Sequence, residues 1–371
     1  MKYPIGIQSF SQIREDGYVY VDKTALIYDL VNNGTIYFLS RPRRFGKSLL
    51  VSTLENYFLG RKELFRGLAI DSLEKEWNTY PVFHIDFNGK EFTEPLELKS
   101  TLDTFVANCE DKYGKDVNAQ TYGDRLLHVF KQAHEQTGRR AVVLIDEYDK
   151  PLLDVMDKNI PAPVVNGDIK TLTDYNRGIL KGFYSIFKLA DDHLQFVLLT
   201  GVTKFSQISV FSGFNQPDDI SYDARYEAIC GITKDEMLTV FKQQIKELGE
   251  ENGMTETEAI DMLTRKYDGY HFSKKMQDIF NPFSLLNCLD MKDFQDYWFS
   301  TGTPEYLMRL MSDNNVNINE LAGKEYIPAE FVDYNASKQK PLPMLYQSGY
   351  LTIKGYNRRR QTYRLDFPNE E

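Results

Sequence analysis

Short apolar runs alternate with longer amphipathic stretches along the first two thirds of the chain. Four runs have the length and the β-branched or aromatic content of buried strands, at 35–39, 81–87, 141–145 and 194–199. Between them, apolar positions recur with helical spacing, which predicts helices over 46–58, 93–112 and 120–136, the last ending at Gly138. Strands joined by long helical connections indicate an α/β fold with a parallel sheet covered on both faces.

Two further segments of this region carry local signals. Residues 1–30 are interpreted as a leading arm, in which 18–21 has the pattern of a short strand and Asp22 caps a helix that begins near Lys23. The stretch 157–168 contains two prolines and a glycine, a composition that predicts a mobile surface loop.

The pattern changes twice in the rest of the chain. After residue 232 helical spacing dominates, at 233–248, 255–267 and 282–291. From about residue 313 a short helix is followed by the two apolar runs of a hairpin, with three arginines at 358–360 in the turn. We therefore expect a core with its N-terminal arm over 1–232, a helical lid over 233–312 and a winged-helix-like module over 313–371.

The last of these segments has about 60 residues, which is near the lower limit of independent stability. It is expected to pack on the core or the lid, with Arg358, Arg359 and Arg360 left exposed at the hairpin tip. The apolar residues expected to be covered by that packing are Leu342, Leu345, Tyr346, Tyr350, Leu351, Ile353, Leu365 and Phe367.

Composition narrows the class of protein. The net charge is −10, from 44 basic and 54 acidic side chains, which argues against broad non-specific nucleic-acid binding but leaves room for a small basic patch. The apolar runs are too short for a membrane span, and the N-terminus lacks the apolar core of a signal peptide. Three scattered cysteines fit reduced thiols of a cytoplasmic protein. The five histidines form no zinc motif.

The strongest chemical signal is the sequence Arg43-Arg44-Phe45-Gly46-Lys47-Ser48, which follows a predicted strand and opens a predicted helix. This is the context of a P-loop, in which backbone N–H groups and a helix N-terminus cradle phosphates. Lys47 would reach the β and γ phosphates of a nucleotide and the Ser48 hydroxyl would bind Mg²⁺. Arg41 stands where the common pattern has its first glycine, so the loop entry must be built differently, with Pro42 fixing the turn.

A plainer interpretation is that these residues open an ordinary helix, because Gly-Lys-Ser often occurs by chance. The arginines would then be solvated loop charges. The position between a buried strand and an amphipathic helix favours the phosphate-binding interpretation.

The second signal is a pair of acids, Asp146 and Glu147, directly after the apolar run 141–145. Ligands of parallel sheets bind at the carboxyl ends of the strands. Asp146 would hold Mg²⁺ through its water shell, and Glu147 would act as general base toward the attacking water. The alternative is a strand that ends in a solvated acidic turn. A predicted strand lies between the P-loop and these acids, as in P-loop ATPases with an inserted strand.

A third, weaker signal follows the fourth strand. Thr200 or Thr203 is a candidate for sensing the γ phosphate, with Lys204 as a possible charge stabiliser, and a polar turn that merely ends the strand is an equally open alternative. The turn signal at 267–270 and the helix start at 281–283 are further candidates for positions over the nucleotide.

With these motifs placed, the chain resembles the bacterial AAA-ATPase-like proteins that usually carry a C-terminal PD-(D/E)XK nuclease-like region. The stretches that carry the resemblance are 3–6, 20–24, 41–48, 144–149, 200–206 and 267–270. It implies a P-loop core of the additional-strand type and makes Arg41 a family feature. No credible nuclease core is found, so the chain is expected to be either a truncated piece or a short member.

The function expected from the whole is ATP binding and Mg²⁺-dependent hydrolysis, coupled to movement of the lid and the C-terminal module. Glu147 is the expected catalytic residue, Ser48 and Asp146 are the metal ligands, and the nucleotide-binding residues are Arg43, Arg44, Phe45, Gly46, Lys47, Ser48, Leu49, Thr200 and Thr203. ATP is favoured over GTP because no NKxD motif is suitably placed.

Two other functions stay open. One is a nucleotide-dependent interaction module with little turnover. Glu147 disfavours this hypothesis, because a protein that only binds the nucleotide needs no acid beside the magnesium ligand. The other is the ATPase part of a nucleic-acid-processing protein, suggested by the arginines at 358–360 and by the family architecture. A nuclease-like region or a protein partner at the C-terminal module is the expected associate.

Overall fold

The computed structural model describes residues 1–156, 158–166, 169–205, 217–299, 305–313, 316–332 and 340–371. Its strands are β1 (Ile36–Ser40), β2 (Val82–Asp86), β3 (Ala141–Asp146), β4 (Pro161–Asn166), β5 (Ile169–Thr171), β6 (Leu194–Gly201), β7 (Asp218–Asp219), β8 (Ile232–Thr233), β9 (Ile279–Phe280), β10 (Lys324–Tyr326), β11 (Thr352–Asn357) and β12 (Thr362–Asp366).

The α-helices, in chain order, are α1 (Phe10–Glu15), α2 (Thr24–Asn33), α3 (Lys47–Phe58), α4 (Ala69–Leu73), α5 (Glu97–Tyr113), α6 (Tyr122–Thr137), α7 (Lys150–Leu153), α8 (Leu172–Leu189), α9 (Lys234–Val240), α10 (Lys242–Glu251), α11 (Glu256–Tyr267), α12 (Pro282–Met291), α13 (Glu305–Asp313), α14 (Ile318–Leu321), α15 (Pro328–Phe331) and α16 (Pro341–Gln347). Short 3₁₀ turns lie at Lys62–Phe65, Asp191–His193 and Ile220–Tyr222. Within the described residues, no helix is long and apolar enough to cross a membrane.

Five parallel strands form the central sheet, in the order β2-β3-β6-β1-β7. Successive residues of a strand point to opposite faces, and β3 shows this directly. Val143 and Ile145 join an apolar cluster with α5, α6 and α8, whereas Val142 and Leu144 join a second cluster with α3. The predicted α/β fold with a parallel sheet is therefore confirmed. Because β6 lies between β1 and β3, the carboxyl ends of all three strands meet at one edge.

The arm contains no strand at 18–21, so that prediction was wrong. The residues at 19–21 do face two sides in alternation, but they do so because the arm runs between two apolar clusters and not because it is a strand. Tyr20 packs against Phe10 with ring centroids 5.1 Å apart, on the side of the sheet. Val19 and Val21 pack against the cluster formed by α9–α12. The helix begins at Thr24, whose backbone N–H donates to Asp22 at 2.8 Å.

The segment predicted as a surface loop contains β4, which is one strand of a two-stranded antiparallel ribbon. β4 pairs with β5, with Pro161 opposite Thr171. The prolines concealed this strand in the sequence, although proline is tolerated in edge strands where its missing N–H is not needed. Residues 157, 167 and 168 of that prediction lie outside the described residues.

The helices α9–α12 pack around their own apolar cluster, and the short strands β8 and β9 pair beside them. The helix predicted over 233–248 is divided at Phe241, which ends α9 and precedes α10. Toward the C-terminus, β10, β12 and β11 form an antiparallel sheet in that order, and α16 lies between β10 and β11 in the chain.

This C-terminal segment shares its apolar cluster with the central sheet. Leu345, Leu351 and Leu365 are buried in the cluster that also holds β3 and β6 residues, which explains why so short a segment is covered. Phe367 was expected to be covered too, but it is 38% exposed, because it follows the last strand and lies beyond the sheet. The three arginines at 358–360 are exposed in the turn between β11 and β12.

Candidate functional site

The loop between β1 and α3 lies at the carboxyl edge of the sheet and leads into the N-terminus of α3. Gly46 occupies the N-cap position of α3, and no side chain caps the first turn of that helix. Arg44 and Gly46 have φ angles of +68° and +92°. Left-handed residues next to right-handed ones form the backbone concavities that bind anions. With the positive end of the α3 dipole, the loop is suited to hold a phosphate.

Arg41 anchors the entry of this loop from inside the protein. Its side chain is 1% exposed. The guanidinium donates to the carbonyl oxygens of Ser40 at 2.9 Å and Ser221 at 2.8 Å, and it packs over the Phe272 ring at 4.1 Å. Burial lowers the pKa of Arg41. A buried arginine followed by a buried proline, Pro42, thus takes the place of the glycine that usually begins such a loop.

Lys47 carries the positive charge at the centre of the site. Its ammonium donates to the carbonyl oxygens of Arg41 at 3.2 Å and Pro42 at 3.4 Å. The same Nζ lies 3.6 Å from Oε1 of Glu147. Lys47 is buried, and an ammonium in such a place needs these partners to offset its desolvation. The lysine of the loop and the second acid after β3 therefore face the same space.

Asp146 ends β3 beside the tip of β6. Its Oδ1 accepts hydrogen bonds from the backbone N–H of Glu147 at 3.0 Å and from the hydroxyl of Thr200. Glu147 has a φ angle of +50°, in the left-handed region that residues other than glycine seldom adopt. Thr200 of the neighbouring strand and the backbone of this turn thus hold the Asp146 carboxylate.

A third acid of the same turn, Asp149, is fully buried. Its Oδ2 accepts the backbone N–H groups of Val202 at 3.1 Å and Thr203 at 2.6 Å. Burial, and then the negative charge of Glu147, raise the pKa of Asp149 to about 7. The turn after β6 is thereby attached to the acidic turn after β3.

A cavity of about 490 Å³ opens over Lys47 and Glu147. Its size is typical of small-molecule sites. The N-terminal arm, the loop before α3, the acidic turn with α7, and α12 each contribute a wall. The lining residues are 4–8, 43–44, 46–49, Asn88, Glu147, Lys150, 153–154, 282–283 and Leu286.

A smaller cavity of about 90 Å³ shares Pro4, Gly46, Leu49 and other lining residues with the first. Its remaining lining is mainly apolar and comes from the arm, α2, α3 and the start of the α9–α12 region. Lys23 lines it as well, and its ammonium bonds Oε1 of Glu236 at 2.7 Å. A cavity lined by both charged and apolar residues thus lies beside a smaller one that is mainly apolar.

Two comparisons bear on the family. A model of the predicted AAA-ATPase family matches residues 4–211. A relative from Azotobacter chroococcum mcd 1, an uncharacterized protein in the vnfD 5′ region, is 37% identical over 373 residues, spanning 100% of this chain and 68% of the relative.

This chain belongs to the predicted AAA-ATPase family. The resemblance inferred from the motifs is therefore confirmed, and the matched residues make up more than half of the chain. Among solved structures, the Aeropyrum pernix ORC1 protein in complex with DNA matches with a TM-score of 0.31 and 9% identity, over 95% of this chain and 90% of its own. A likeness that distant carries no argument about fold or function.

In this AAA-ATPase-like chain the large cavity gathers most of the residues singled out from the sequence. Those that line it are Arg43, Arg44, Gly46, Lys47, Ser48, Leu49 and Glu147. The Phe45 ring points elsewhere, against Tyr270 and Phe272 at centroid distances of 4.8 and 5.5 Å. Phe45 thus anchors the loop through its side chain.

The residues after β6 are placed differently. Thr200 is buried outside the cavity lining and reaches the site through its bond to Asp146. The Thr203 hydroxyl faces the C-terminal segment, 3.7 Å from the sulfur of Met344. Lys204 pairs with Asp219 at 2.7 Å. Contact of Thr200 or Thr203 with a nucleotide stays a prediction.

Sequence reasoning assigned no role to several lining residues, namely those at 4–8, Asn88, Lys150 and Asp154. The opening residues had one available signal, because 3–6 contributed to the family resemblance. The helix start at 281–283 was expected over the nucleotide, and Pro282 and Phe283 do line the cavity. The turn at 267–270 does not contribute to the lining.

Proposed function

We propose that this chain binds ATP with Mg²⁺ in the large cavity and hydrolyses it. The observation that carries the proposal is the approach of Lys47 Nζ to Glu147 Oε1, 3.6 Å apart at one cavity. Phosphoryl transfer to water needs positive charge on the phosphates and a group that orients or deprotonates the water, both facing the same space. Membership of the predicted AAA-ATPase family supports the same function at a coarser level.

The phosphates would lie against the backbone of 44–48. The support is the left-handed Arg44 and Gly46, the uncapped first turn of α3 and the buried ammonium of Lys47. Backbone N–H groups would bind the phosphate oxygens, and Lys47 would exchange its carbonyl partners for the β and γ phosphates. Arg43 and Arg44, both exposed at the rim, add positive charge.

Ser48 and Asp146 are the residues that would hold magnesium. The described residues contain no group of three or more histidine, cysteine or acidic side chains able to hold a metal. Magnesium suits such a site, because it keeps several waters and takes one or two protein ligands plus phosphates. The bonds to Asp146 from Glu147 and Thr200 both end on Oδ1, so Oδ2 is the oxygen proposed for the metal's water shell. When bound, the ion would neutralise phosphate charge.

Glu147 would act as general base. Its carboxylate is partly exposed to the cavity while Lys47 is buried beneath it, so a water on that side would meet the acid first. The carboxylate would accept a proton from this water as the water attacks the γ phosphate. The left-handed backbone of Glu147 sets this direction.

The base of the nucleotide would occupy the smaller cavity. Its lining is mainly apolar, it adjoins the loop at Gly46, and it lies between the arm and α12. An apolar slot of this kind suits the faces of a purine ring, and the absence of an NKxD motif favours adenine. The N-terminal arm lines this smaller cavity with Pro4 and residues 19–21, so it would contact the base although it lies far from the P-loop in the sequence.

The finer architecture is also proposed. The position of β6 between β1 and β3 supports a P-loop core of the additional-strand type. The helices α9–α12 would act as a lid, since α12 lines the cavity, and the segment with β10–β12 would be a winged-helix-like module. ATP turnover would move both, and the module would offer a site for a nuclease-like region or a protein partner. Three buried, free cysteines support a cytoplasmic setting.

Changing Asp146 to alanine tests the magnesium site. Removing the carboxylate should weaken ATP binding roughly tenfold or more in the presence of Mg²⁺, the scale on which metal affinity responds to a lost supporting ligand. In EDTA the variant and the wild type should bind alike. Isothermal titration with ATP under both conditions measures this, with Asp111→Ala on the exposed side of α5 as control. Equal magnesium dependence in the two proteins would remove Asp146 from the site.

The exposed arginines at 358–360 favour a second candidate function, nucleic-acid binding by the C-terminal module. Duplex DNA binding should weaken as salt rises, because each neutralised phosphate releases counterions. The slope of log affinity against log salt is negative, and changing all three arginines to alanine should reduce its magnitude by roughly 3. Fluorescence anisotropy with a labelled duplex measures the slope. The control is Lys246→Ala, which removes an exposed lysine from α10. An unchanged slope and affinity would show that the turn is not the contact.

A further inference from the structure

The turn after β6, at 201–205, is held from the side of the acids by Asp149 and Tyr148. Asp149 Oδ2 accepts the N–H groups of Val202 and Thr203. The Tyr148 hydroxyl donates to the carbonyl oxygen of Thr203 at 2.7 Å and accepts the N–H of Phe205 at 3.2 Å. The backbone of this turn therefore depends on two side chains next to Glu147.

The fit between the two turns is close. A Cβ placed on Gly201 would come within 2.5 Å of Asp149 Oδ1 and 2.7 Å of the Tyr148 ring. Oδ1 itself has no hydrogen-bond partner among the described residues, so the carboxylate uses one oxygen for two backbone groups and packs the other against Gly201. The two N–H groups need an oxygen acceptor at this position, which a carboxylate supplies and an amide oxygen could also supply.

The opposite side of the turn contacts α16 of the C-terminal segment. The Lys204 N–H donates to Oε1 of Gln347 at 3.1 Å, and the Thr203 hydroxyl lies against Met344. Gly349, just after α16, packs on the ring of Pro42, where an added Cβ would lie 3.0 Å from the ring carbons. α16 and the residues just after it thus contact both the turn after β6 and Pro42 at the entry of the phosphate-binding loop.

We propose that Asp149 is a positioning residue for the reaction, which holds the 201–205 turn against the acidic turn and thereby keeps Glu147 directed at Lys47. The inference rests on the proposed ATPase function. Asp149 does not line the cavity, and its contact with the 201–205 turn is through the backbone N–H groups of Val202 and Thr203. The 201–205 turn also contacts α16, so the C-terminal segment is connected through this turn to Asp149 and the acidic turn.

Asp149→Ala and Asp149→Asn separate positioning from charge. Alanine removes the acceptor, so we expect kcat for ATP to fall on the order of a hundredfold, the scale of a catalytic group displaced by about 1 Å. KM should change little, because the phosphate-binding loop is untouched. Asparagine offers an oxygen to the same two N–H groups and should stay within about threefold of the wild type. Glu110→Ala, which removes a buried acid paired with Arg125 on α6, is the control for lost stability without lost positioning.

Hydrogen exchange at Val202 and Thr203 gives a readout that does not depend on ATP turnover. Exchange there should speed up in Asp149→Ala and stay protected in Asp149→Asn. Unchanged exchange in the alanine variant, an asparagine variant as slow as alanine, or a fall in kcat equal to that of Glu110→Ala would each overturn the proposal. A wild type that releases no phosphate would instead overturn the ATPase function itself, while the exchange data would still decide whether Asp149 holds the turn.

Discussion

Lys47→Ala should lower the affinity for ATP by more than about a hundredfold. The ammonium would contact two phosphates, and each charge-assisted contact contributes about 1.5–3 kcal/mol. The backbone N–H groups of the loop would remain but would bind the phosphates alone. Isothermal titration with ATP and Mg²⁺ measures the change.

The matched control for this variant is Lys246→Ala, which removes an exposed lysine from α10. It alters the net charge equally and lies outside the cavity lining, so its affinity should equal that of the wild type. Thermal unfolding of both proteins separates lost binding from lost structure. Wild-type affinity in a folded Lys47→Ala protein would mean that the loop does not hold the nucleotide.

Glu147→Gln should reduce ATP turnover by roughly a hundredfold or more, the range attributed to a lost general base. The amide has the shape of the acid but cannot accept the proton of the attacking water. Binding should persist, because the phosphate-binding loop and Lys47 are unchanged, and titration with ATP measures it separately. Steady-state phosphate release at saturating ATP reports the loss.

A control for Glu147→Gln is Glu250→Gln at the exposed end of α10. It removes one negative charge without touching the cavity and should leave turnover at the wild-type value. If both variants release phosphate at the same rate, Glu147 is a strand-terminal acid and the base must be sought elsewhere, or the chain is a nucleotide-dependent binder.

The parts of the fold and site that could be predicted are those determined by short, contiguous sequence patterns. β1, β3 and β6 are apolar runs that must be buried, and the residues directly after them fall at one edge of a parallel sheet. Gly46-Lys47 at a strand-to-helix junction and Asp146-Glu147 at a strand end therefore had to approach each other. The direction of the strands places both motifs at one edge, and the strand order, with β6 between β1 and β3, sets how far apart they are.

What could not be predicted depends on contacts between distant segments. β7 has two residues and no pattern of its own, and it forms because β1 offers an open edge. The arm at 18–21 looks like a strand because it packs between two clusters. Asp149 differs from Glu147 in being buried under the turn after β6. That turn lies 53 residues further along the chain at Val202, so the local sequence around Asp149 gives no sign of the burial.

Phosphate release from ATP by the purified full chain, with Mg²⁺ and with EDTA, tests the central claim most directly. The Lys47→Ala/Glu147→Gln double variant, purified in parallel, reports any contaminating ATPase. We expect saturable, Mg²⁺-dependent release by the wild type and none above the blank from the double variant. No release by the wild type at saturating ATP, or equal release by the two proteins, would contradict the account.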